Sequence, residues 1–172
     1  MKTIIASDLH GSFYYVNQLI ARFYEEKADN LILLGDILYH GPRNDLPKEY
    51  SPKKVIALLN PLKEKIACVQ GNCDAEVDSM VLDFDLLTPY KQIRLDNLTV
   101  HLTHGHKNNP EKPLNANAGE VVLFGHSHIP YNQVIKGVRY INPGSVSIPK
   151  NNSAHSYIVY ENGNFIFKSL ND

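Results

Sequence analysis

Six short polar motifs hold most of the chemistry-bearing residues of this chain, and nearly all of them follow an apolar run. They are Asp8-Leu9-His10, Gly35-Asp36, Gly71-Asn72-Cys73-Asp74, His104-Gly105-His106, Gly125-His126-Ser127-His128 and Asn142-Pro143-Gly144-Ser145. A short apolar run that ends in Gly, Asp or Asn indicates a buried strand that leads into a loop. Because ligands of sheet-based folds gather at the carboxyl ends of strands, we expect these side chains to meet at one edge of the core.

The side chains in these motifs are of the types that bind one or two metal ions. Asp8 and His10 are two positions apart, so an extended backbone points both the same way and lets them bind one ion together. Asp36 offers a carboxylate, the usual group for bridging two cations, and Asn72 offers a neutral amide oxygen. Imidazole nitrogens come from His104, His126 and His128. This set without thiolate suits Mn, Fe, Zn, Ni or Co better than Ca or Mg.

The pattern D-x-H, G-D, G-N, H-G-H, G-H-x-H resembles the calcineurin-like metallophosphoesterases, from residue 8 to residues 142–145. Residues 71–74 and 142–149 are most similar to the small bacterial phosphodiesterases of that superfamily. The resemblance implies two divalent ions, Mn²⁺ first, with Zn²⁺, Ni²⁺, Fe or Co²⁺ as alternatives. It implies that one ion is bound by Asp8, His10, Asp36 and His128, and the other by Asp36, Asn72, His104 and His126, with Asp36 bridging.

The same resemblance implies hydrolysis of a phosphodiester by a hydroxide that both ions bind. Many relatives carry His directly after the metal-binding Asn72 position, where it protonates the leaving group or contacts phosphate, but this chain has Cys73. A thiol with a pKa of about 8.5 is a poorer proton donor than an imidazolium. We therefore expect a preference for good leaving groups such as aryl alcohols. His106 and Asp74 are the alternative helpers, and the expected catalytic residues are Asp36, Asn72, Cys73 and His106.

The first 75 residues follow a β-α-β-α-β pattern. Apolar spacing predicts an amphipathic helix over residues 12–27 with Ser12 as its cap, and a second helix that ends before Pro61. Strands are predicted at Leu31–Leu34 and Ile66–Val69. Residues 41–52 hold three prolines among charged residues and are predicted to form a surface loop. This pattern indicates a sheet with crossover helices.

The second half of the chain is predicted to be mostly strand. Two strands over residues 90–103 flank the turn Asp96-Asn97, and residues 107–119 form an exposed polar loop. Further strands are expected near residues 121–124, 131–135, 138–141, 155–160 and 164–168 in a largely meandering tail. Together with the resemblance, these elements imply a four-layer α/β/β/α sandwich of two mixed sheets flanked by helices.

Composition limits the classes of function. The 172 residues are 43% apolar and carry a net charge of −1, which fits a single metallophosphoesterase domain over residues 1–172. Lys and Arg form no long block, so no extended nucleic-acid surface is expected. With no secretory signal and no apolar run of about 20 residues, we expect a cytoplasmic protein without a membrane partner. The expected partner is a small phosphodiester, and late strands could pair two subunits into a homo-oligomer.

Two alternative functions remain open from the sequence. The fold family includes non-catalytic protein-binding scaffolds, which tend to lose metal ligands, whereas this chain retains liganding chemistry at all seven positions. A phosphomonoesterase or nucleotidase is the other alternative. Monoesters carry an extra charge and their hydrolases often use additional basic or His contacts, so Cys73 argues against it.

Overall fold

The computed structural model of the protein describes residues 1–170, and Asn171 and Asp172 of the predicted domain lie outside the described residues. The α-helices are α1 (Phe13–Glu25) and α2 (Pro52–Leu59). The strands are β1 (Lys2–Ala6), β2 (Asn30–Leu33), β3 (Ile66–Cys68), β4 (Tyr90–Leu95), β5 (Leu98–Thr103), β6 (Val121–Leu123), β7 (Pro130–Ile135), β8 (Val138–Pro143), β9 (Ser156–Glu161) and β10 (Asn164–Ser169). Short 3₁₀ helices occupy Asn60–Lys65 and Glu76–Met80.

The strands form two five-stranded mixed sheets. The order is β10-β9-β1-β2-β3 in the first sheet and β4-β5-β6-β8-β7 in the second. In the first sheet, β2 runs parallel to both β1 and β3. In the second sheet, β6 runs parallel to both β5 and β8. The expectation of a meandering tail holds within the hairpins β7–β8 and β9–β10 but is wrong between them. The second hairpin crosses back to the first sheet, where β9 pairs with β1.

Three apolar layers hold the sheets and helices together. Ile5 and Ile32 of the first sheet pack against Leu102 and Ile141 of the second. The opposite face of the first sheet packs on α1 and α2. Outside the second sheet, Tyr140 contacts apolar side chains from the loop over residues 107–119. The predicted sandwich of two mixed sheets flanked by helices is confirmed, with both α-helices of the described residues on the first sheet.

The helix boundaries follow from local chemistry. Ser12 is the N-cap of α1, and its Oγ accepts a hydrogen bond of 3.4 Å from the Tyr15 backbone N–H. Every buried side chain of α1 lies on one stripe, which faces the first sheet. Helix α2 ends at Leu59 as predicted, but the chain continues as a 3₁₀ helix through Pro61. Proline fits there because it needs no backbone N–H in the first turn.

Five of the six polar motifs follow strands, and the sixth, Asn142-Pro143-Gly144-Ser145, begins with the last two residues of β8. The carboxyl ends of these strands lie along one edge of the two sheets. Asp8 follows β1, Asp36 follows β2 and Asn72 follows β3 in the first sheet. His104 follows β5 and His126 follows β6 in the second sheet. The sandwich therefore brings loops from both sheets to a common edge.

No helix within residues 1–170 has the length and apolar character needed to cross a bilayer.

Candidate metal centre

Five of the predicted ligands have left-handed backbone conformations. Their φ angles are +57° at Asp8, +46° at His10, +57° at Asp36, +66° at His126 and +60° at His128. Residues other than Gly rarely adopt this region, at a cost of about 1–3 kcal/mol each, and such residues cluster at functional sites. The expected extended backbone at Asp8 and His10 is therefore wrong. Both side chains still point into one site, because the strained turn after β1 directs them there.

The first group of donors surrounds one carboxylate oxygen. Asp8 Oδ1 lies 3.2 Å from His128 Nε2 and 3.7 Å from His10 Nε2, and the two Nε2 atoms are 3.3 Å apart. The other oxygen, Oδ2, accepts hydrogen bonds from Ser7 Oγ at 2.6 Å and from the His126 backbone N–H at 3.0 Å. Asp8 is fully buried, yet Oδ1 has no hydrogen-bond donor. This orphaned oxygen faces two imidazole nitrogens in the way a metal ligand would.

The second group lies on the other side of Asp36. Its Oδ2 is 3.4 Å from His104 Nε2 and 3.7 Å from His10 Nε2, so this carboxylate faces both groups. Asn72 Oδ1 lies 3.0 Å from His104 Nε2. The ring of half-buried His126 has its centroid 5.2 Å from that of His104. All seven predicted ligands therefore converge on one region.

Backbone carbonyls fix the orientation of three imidazoles. The Nδ1–H groups donate to carbonyl oxygens: His10 to Tyr39 at 2.8 Å, His104 to Leu34 at 2.7 Å and His128 to Ile148 at 2.6 Å. A carbonyl can only accept, so Nδ1 carries a proton, and each ring in its neutral form turns an Nε2 lone pair into the site. Such outer hydrogen bonds set the tautomer of metal-binding histidines. Together with the two buried carboxylates, these lone pairs fit divalent cations.

The charges of the metal-free site are strongly coupled. Burial opposes ionisation of Asp8, but its interactions with the neighbouring imidazoles of His10, His128 and His104 outweigh burial and hold the pKa of Asp8 well below its usual range. Burial likewise opposes protonation of His104, yet the adjoining Asp36 and the charge of Asp8 raise the pKa of His104 to about 9. The pKa of His10 is raised in the same way by Asp8. Without a cation, protons on these histidines offset the carboxylate charge.

Two glycines let the loops approach the carboxylates. A Cβ on Gly71 would lie 2.1 Å from Asp36 Oδ1 and 2.4 Å from the Asp36 backbone nitrogen. A Cβ on Gly125 would lie 1.9 Å from Ser7 Oγ and 2.8 Å from Asp8 Oδ2. Only glycine fits at such distances, which agrees with the prediction that close backbone approach selects it.

The motif Asn142-Pro143-Gly144-Ser145 at the end of β8 forms hydrogen bonds with the loops that carry the proposed ligands. Asn142 Nδ2 donates to the Gly125 carbonyl at 2.8 Å, which holds the loop that carries His126 and His128. Ser145 Oγ donates at 2.8 Å to the carbonyl oxygen of Asp8. Both side chains are fully buried. Sequence alone left these residues open between turn formation and support of the metal loops, and the structure places both in hydrogen bonds to those loops.

Asp74 joins the loops of Asp36 and Asn72. Its Oδ2 accepts from the backbone N–H groups of Asp36 at 2.8 Å and Gly71 at 2.7 Å, and Oδ1 accepts from Ile37 at 2.8 Å. Burial raises the pKa of Asp74, although these three donors oppose the shift. Because its oxygens are engaged in the loop junction, Asp74 acts as a structural anchor, and the sequence-based alternative of a proton donor is not supported.

Replacement of Asp74 by Asn should therefore lower the free energy of unfolding. An amide would turn an N–H donor towards a backbone N–H, and a buried unpaired donor costs about 1–3 kcal/mol. The measurement is urea unfolding of the metal-free protein, with the exposed Asp83→Asn as the matched control. Equal stability of the two variants would contradict the role of Asp74 as an anchor.

A cavity of about 270 Å³ opens over the centre, and its wall includes residues that the sequence did not single out. Besides the predicted residues His10, Asp36, Asn72, Cys73, His126 and His128, it is lined by Gly41, Pro42, Arg43, Asn44 and Lys150. Arg43 and Lys150 bring two cations to the mouth of an otherwise acidic and imidazole-rich site. Arg43 lies in the predicted loop over residues 41–52, so this loop forms one wall of the cavity.

Cys73 and His106 occupy different positions around the centre. Cys73 Sγ lies within 4.8 Å of donor atoms of both His10 and Asp36, so a sulfur adjoins a donor set predicted to lack it. Burial and then the charge of Asp36 raise the pKa of the Cys73 thiol to about 12 in the metal-free protein. The ring of His106 lies 5.4 Å from that of His104 and 6.1 Å from that of His126. His106 is therefore adjacent to the second group of ligands.

Two packed mixed sheets with carboxylate, amide and imidazole donors at one shared edge define a metallophosphoesterase. Residues 1–164 match the family model of the calcineurin-like phosphoesterase superfamily domain, and the chain belongs to that superfamily. The predicted family is thus confirmed.

Among individual proteins, the chain is similar to the phosphodiesterase YfcE of Escherichia coli K12. The two are 41% identical over 172 residues, which is 100% of this chain and 94% of the relative. The solved structure of the E. coli protein matches with a TM-score of 0.97 over the same shares of the two chains. The probable metallophosphoesterase YsnB of Bacillus subtilis is 30% identical over 92% of this chain and 83% of its own. An archaeal phosphodiesterase, at 21% identity and a TM-score of 0.73 over 98% and 99% of the chains, shows the fold alone.

Proposed function

We propose that this protein is a metal-dependent phosphodiesterase of small phosphodiesters, with residues 1–172 as one metallophosphoesterase domain in the cytoplasm. The observation that carries the proposal is the convergence of buried carboxylates and oriented imidazoles around the unpartnered Asp8 Oδ1. The relationship to a bacterial phosphodiesterase at 41% identity supports it.

The proposed metal ligands are Asp8, His10, Asp36, Asn72, His104, His126 and His128. Two divalent ions held by these residues, with Mn²⁺ as the first choice, would supply Lewis acidity towards the phosphoryl oxygens and would activate water for hydrolysis. Asp36 suits the bridging position because one of its oxygens faces imidazoles of both groups. The left-handed turns keep these side chains in place without reorganisation, which is the condition for electrostatic stabilisation of a transition state.

The remaining residues of the cavity are assigned to the substrate. Arg43 and Lys150 lie at the mouth and attract and orient the negative phosphodiester. Asn44 donates from Nδ2 to the His40 carbonyl at 2.8 Å, which holds this part of the loop. Cys73 occupies the position beside Asn72 where a proton donor to the leaving group is expected, and His106 is the alternative donor.

The experiment is hydrolysis of bis-p-nitrophenyl phosphate and p-nitrophenyl phosphate by protein whose metal content has been measured. The proposal expects two ions per chain and faster turnover of the diester. Faster turnover of the monoester would favour a phosphomonoesterase. No hydrolysis by the metal-loaded protein, together with a stoichiometric protein partner that covers the cavity in a pull-down, would favour the scaffold.

Cys73→His should raise the rate for poor leaving groups. An imidazolium protonates a departing oxyanion better than a thiol, and general acid catalysis contributes about 10²-fold or more where it is needed. Diphenyl phosphate should therefore gain much more than bis-p-nitrophenyl phosphate, whose leaving group needs little protonation. Cys73→Ser serves as the control, because a serine hydroxyl is no stronger a proton donor than the cysteine thiol. An equal change in the two rates for Cys73→His would contradict a proton-donor position.

A further inference from the structure

A second cavity of about 380 Å³ adjoins His126. Its walls are mostly apolar and include Phe124, Ile129 and Tyr131 together with Pro110 of the loop over residues 107–119. His126 lines both cavities, so the two spaces meet at a proposed metal ligand. This shared residue places the second cavity next to the candidate metal centre.

The walls of this cavity are held in place by their own contacts. Phe124 and Tyr131 pack edge to face with ring centroids 5.7 Å apart. On the other side, Asn109 Nδ2 donates to the Gly105 carbonyl at 2.9 Å, and Asn109 Oδ1 accepts from the Glu111 N–H at 2.9 Å. Reciprocal backbone hydrogen bonds of 3.1 Å between Asn109 and Lys112 close the turn. Small-molecule sites are commonly preformed in this way, mostly apolar and of this volume.

We propose that the second cavity is a subsite for a flat aromatic group of the substrate, either a nucleobase or an aryl ring. This group would be bonded to the phosphorus of the ester that is hydrolysed at the metal centre. The inference rests on the proposed phosphodiesterase function and names its substrate class. Aromatic walls favour planar rings, since stacked and edge-to-face arrangements add to the burial of apolar area. Asn109 and Ser127, which also line the cavity, supply polar groups for the edge of a heterocycle.

The two cavities suit different parts of the substrate, because their walls differ in chemical character. The first carries Arg43 and Lys150 and suits the charged phosphoryl group with its leaving oxygen. The second carries aromatic and aliphatic walls and suits the group that remains on phosphorus. A diester whose remaining group is small and aliphatic would leave the second cavity filled with water and would gain nothing from its walls.

The test compares three esters that share one leaving group, p-nitrophenolate. The group that remains on phosphorus is thymidine in the first, p-nitrophenyl in the second and methyl in the third. In the wild-type protein we expect kcat/KM for the aromatic esters to exceed that for the methyl ester by about 5- to 100-fold, mostly through KM, as for base–aromatic stacking. The thymidine and p-nitrophenyl arms distinguish a nucleobase from a simple aryl ring.

Tyr131→Ala should reduce this preference to nearly one, because KM should rise far more for the aromatic esters than for the methyl ester. Tyr131→Phe should retain the preference because the ring stays. Val134→Ala, on the same strand but outside the cavity and with 66% of the side chain exposed, is the matched control. A wild-type preference near one, or an unchanged preference in a folded Tyr131→Ala variant, would overturn the subsite and leave the proposed function intact.

Binding without turnover separates the two proposals. Thymidine contains no phosphorus, so its titration into the full-length protein, followed by nuclear magnetic resonance, reports on the cavity alone. Shifts of the Tyr131 and Phe124 ring signals are expected in the wild type, and Tyr131→Ala should weaken the binding. Ring shifts with no hydrolysis of any ester would reject the proposed function but not the aromatic site. Hydrolysis with no shifts would overturn the subsite.

Discussion

Asp36→Asn is expected to lower kcat/KM of the metal-loaded protein on bis-p-nitrophenyl phosphate by about 10³-fold. Its Oδ2 lies 3.4 Å from His104 Nε2 and 3.7 Å from His10 Nε2, so one oxygen faces both proposed ion positions. The amide keeps the shape of the side chain, and its oxygen can still accept from the Cys73 N–H as Oδ1 does at 2.8 Å. Charge stabilisation by the ions is worth several kcal/mol, and each 1.36 kcal/mol changes the rate tenfold.

Three measurements on this variant separate catalysis from folding. Metal content after gel filtration should fall below two ions per chain, and thermal unfolding of the metal-free variant should remain cooperative. Asp83→Asn, an exposed change elsewhere on the surface, is expected to keep both activity and metal content. An Asp36→Asn protein that retains two ions and the wild-type rate would remove Asp36 from the bridging position.

The edge at which the site forms could be predicted because each motif carries its own local signal. An apolar run followed by Gly-Asp or Gly-Asn marks the end of a strand whatever that strand pairs with. The partner of each strand is a long-range property, and the tail shows this. Sequence identified the two strands near residues 155–160 and 164–168, but the place of β9 beside β1 depends on the apolar face that Ile158 and Tyr160 share with the second sheet.

The conformation of the ligands could not be predicted in the same way. Nothing in the residue types of Asp8 or His128 indicates a positive φ angle, which sequence reasoning assigns to Gly first. These angles exist because packing around the turns determines them. Ser145 Oγ and Ser147 Oγ donate to the Asp8 carbonyl at 2.8 and 3.1 Å, across more than 130 positions of sequence. The residue types at positions 142–147 are equally typical of a simple turn, so sequence alone did not predict these hydrogen bonds.

The cavity walls depend even more on loop packing. Lys150 reaches the centre because its backbone N–H donates to the His128 carbonyl at 3.3 Å, a contact between two loops. Tyr131 was one of ten dispersed tyrosines with no distinguishing neighbour in sequence. The proposed metal ligands could be selected from the sequence because such residues must be of a few types in a fixed order, whereas residues that contact the substrate need only the right position.

The metal-free protein should lose stability as the pH rises from 7 to 8.5. The pKa of His104 is raised to about 9 in the folded protein from 6.5, so its contribution is fully present below pH 6.5 and disappears as the pH passes 9. This group alone should lower the free energy of unfolding by about 1–2 kcal/mol over that range, or a few degrees in Tm. The lowered pKa of Asp8 adds no change here, because its contribution is lost only in acid.

His104→Gln is the control for this pH dependence. The two cysteines have pKa values raised by burial, so they also destabilise the fold as the pH approaches their unfolded value of about 8.5. The variant keeps the part of the slope due to the cysteines and to the raised pKa of His10, and it should lose the part due to His104. Measurement is by chemical unfolding with a chelator present, at matched ionic strength.

Added Mn²⁺ should reverse the trend in the wild-type protein. A metal ion requires the neutral imidazole, so binding displaces the protons that His10 and His104 hold in the metal-free site and becomes tighter as the pH rises. The metal-induced increase in Tm should therefore grow between pH 7 and 8.5, while the metal-free Tm falls. An ion concentration 1,000 times the Kd stabilises a single site by about 4 kcal/mol, well above the loss in the metal-free protein. An increase in Tm that does not depend on pH would mean that the ion binds elsewhere than at these histidines.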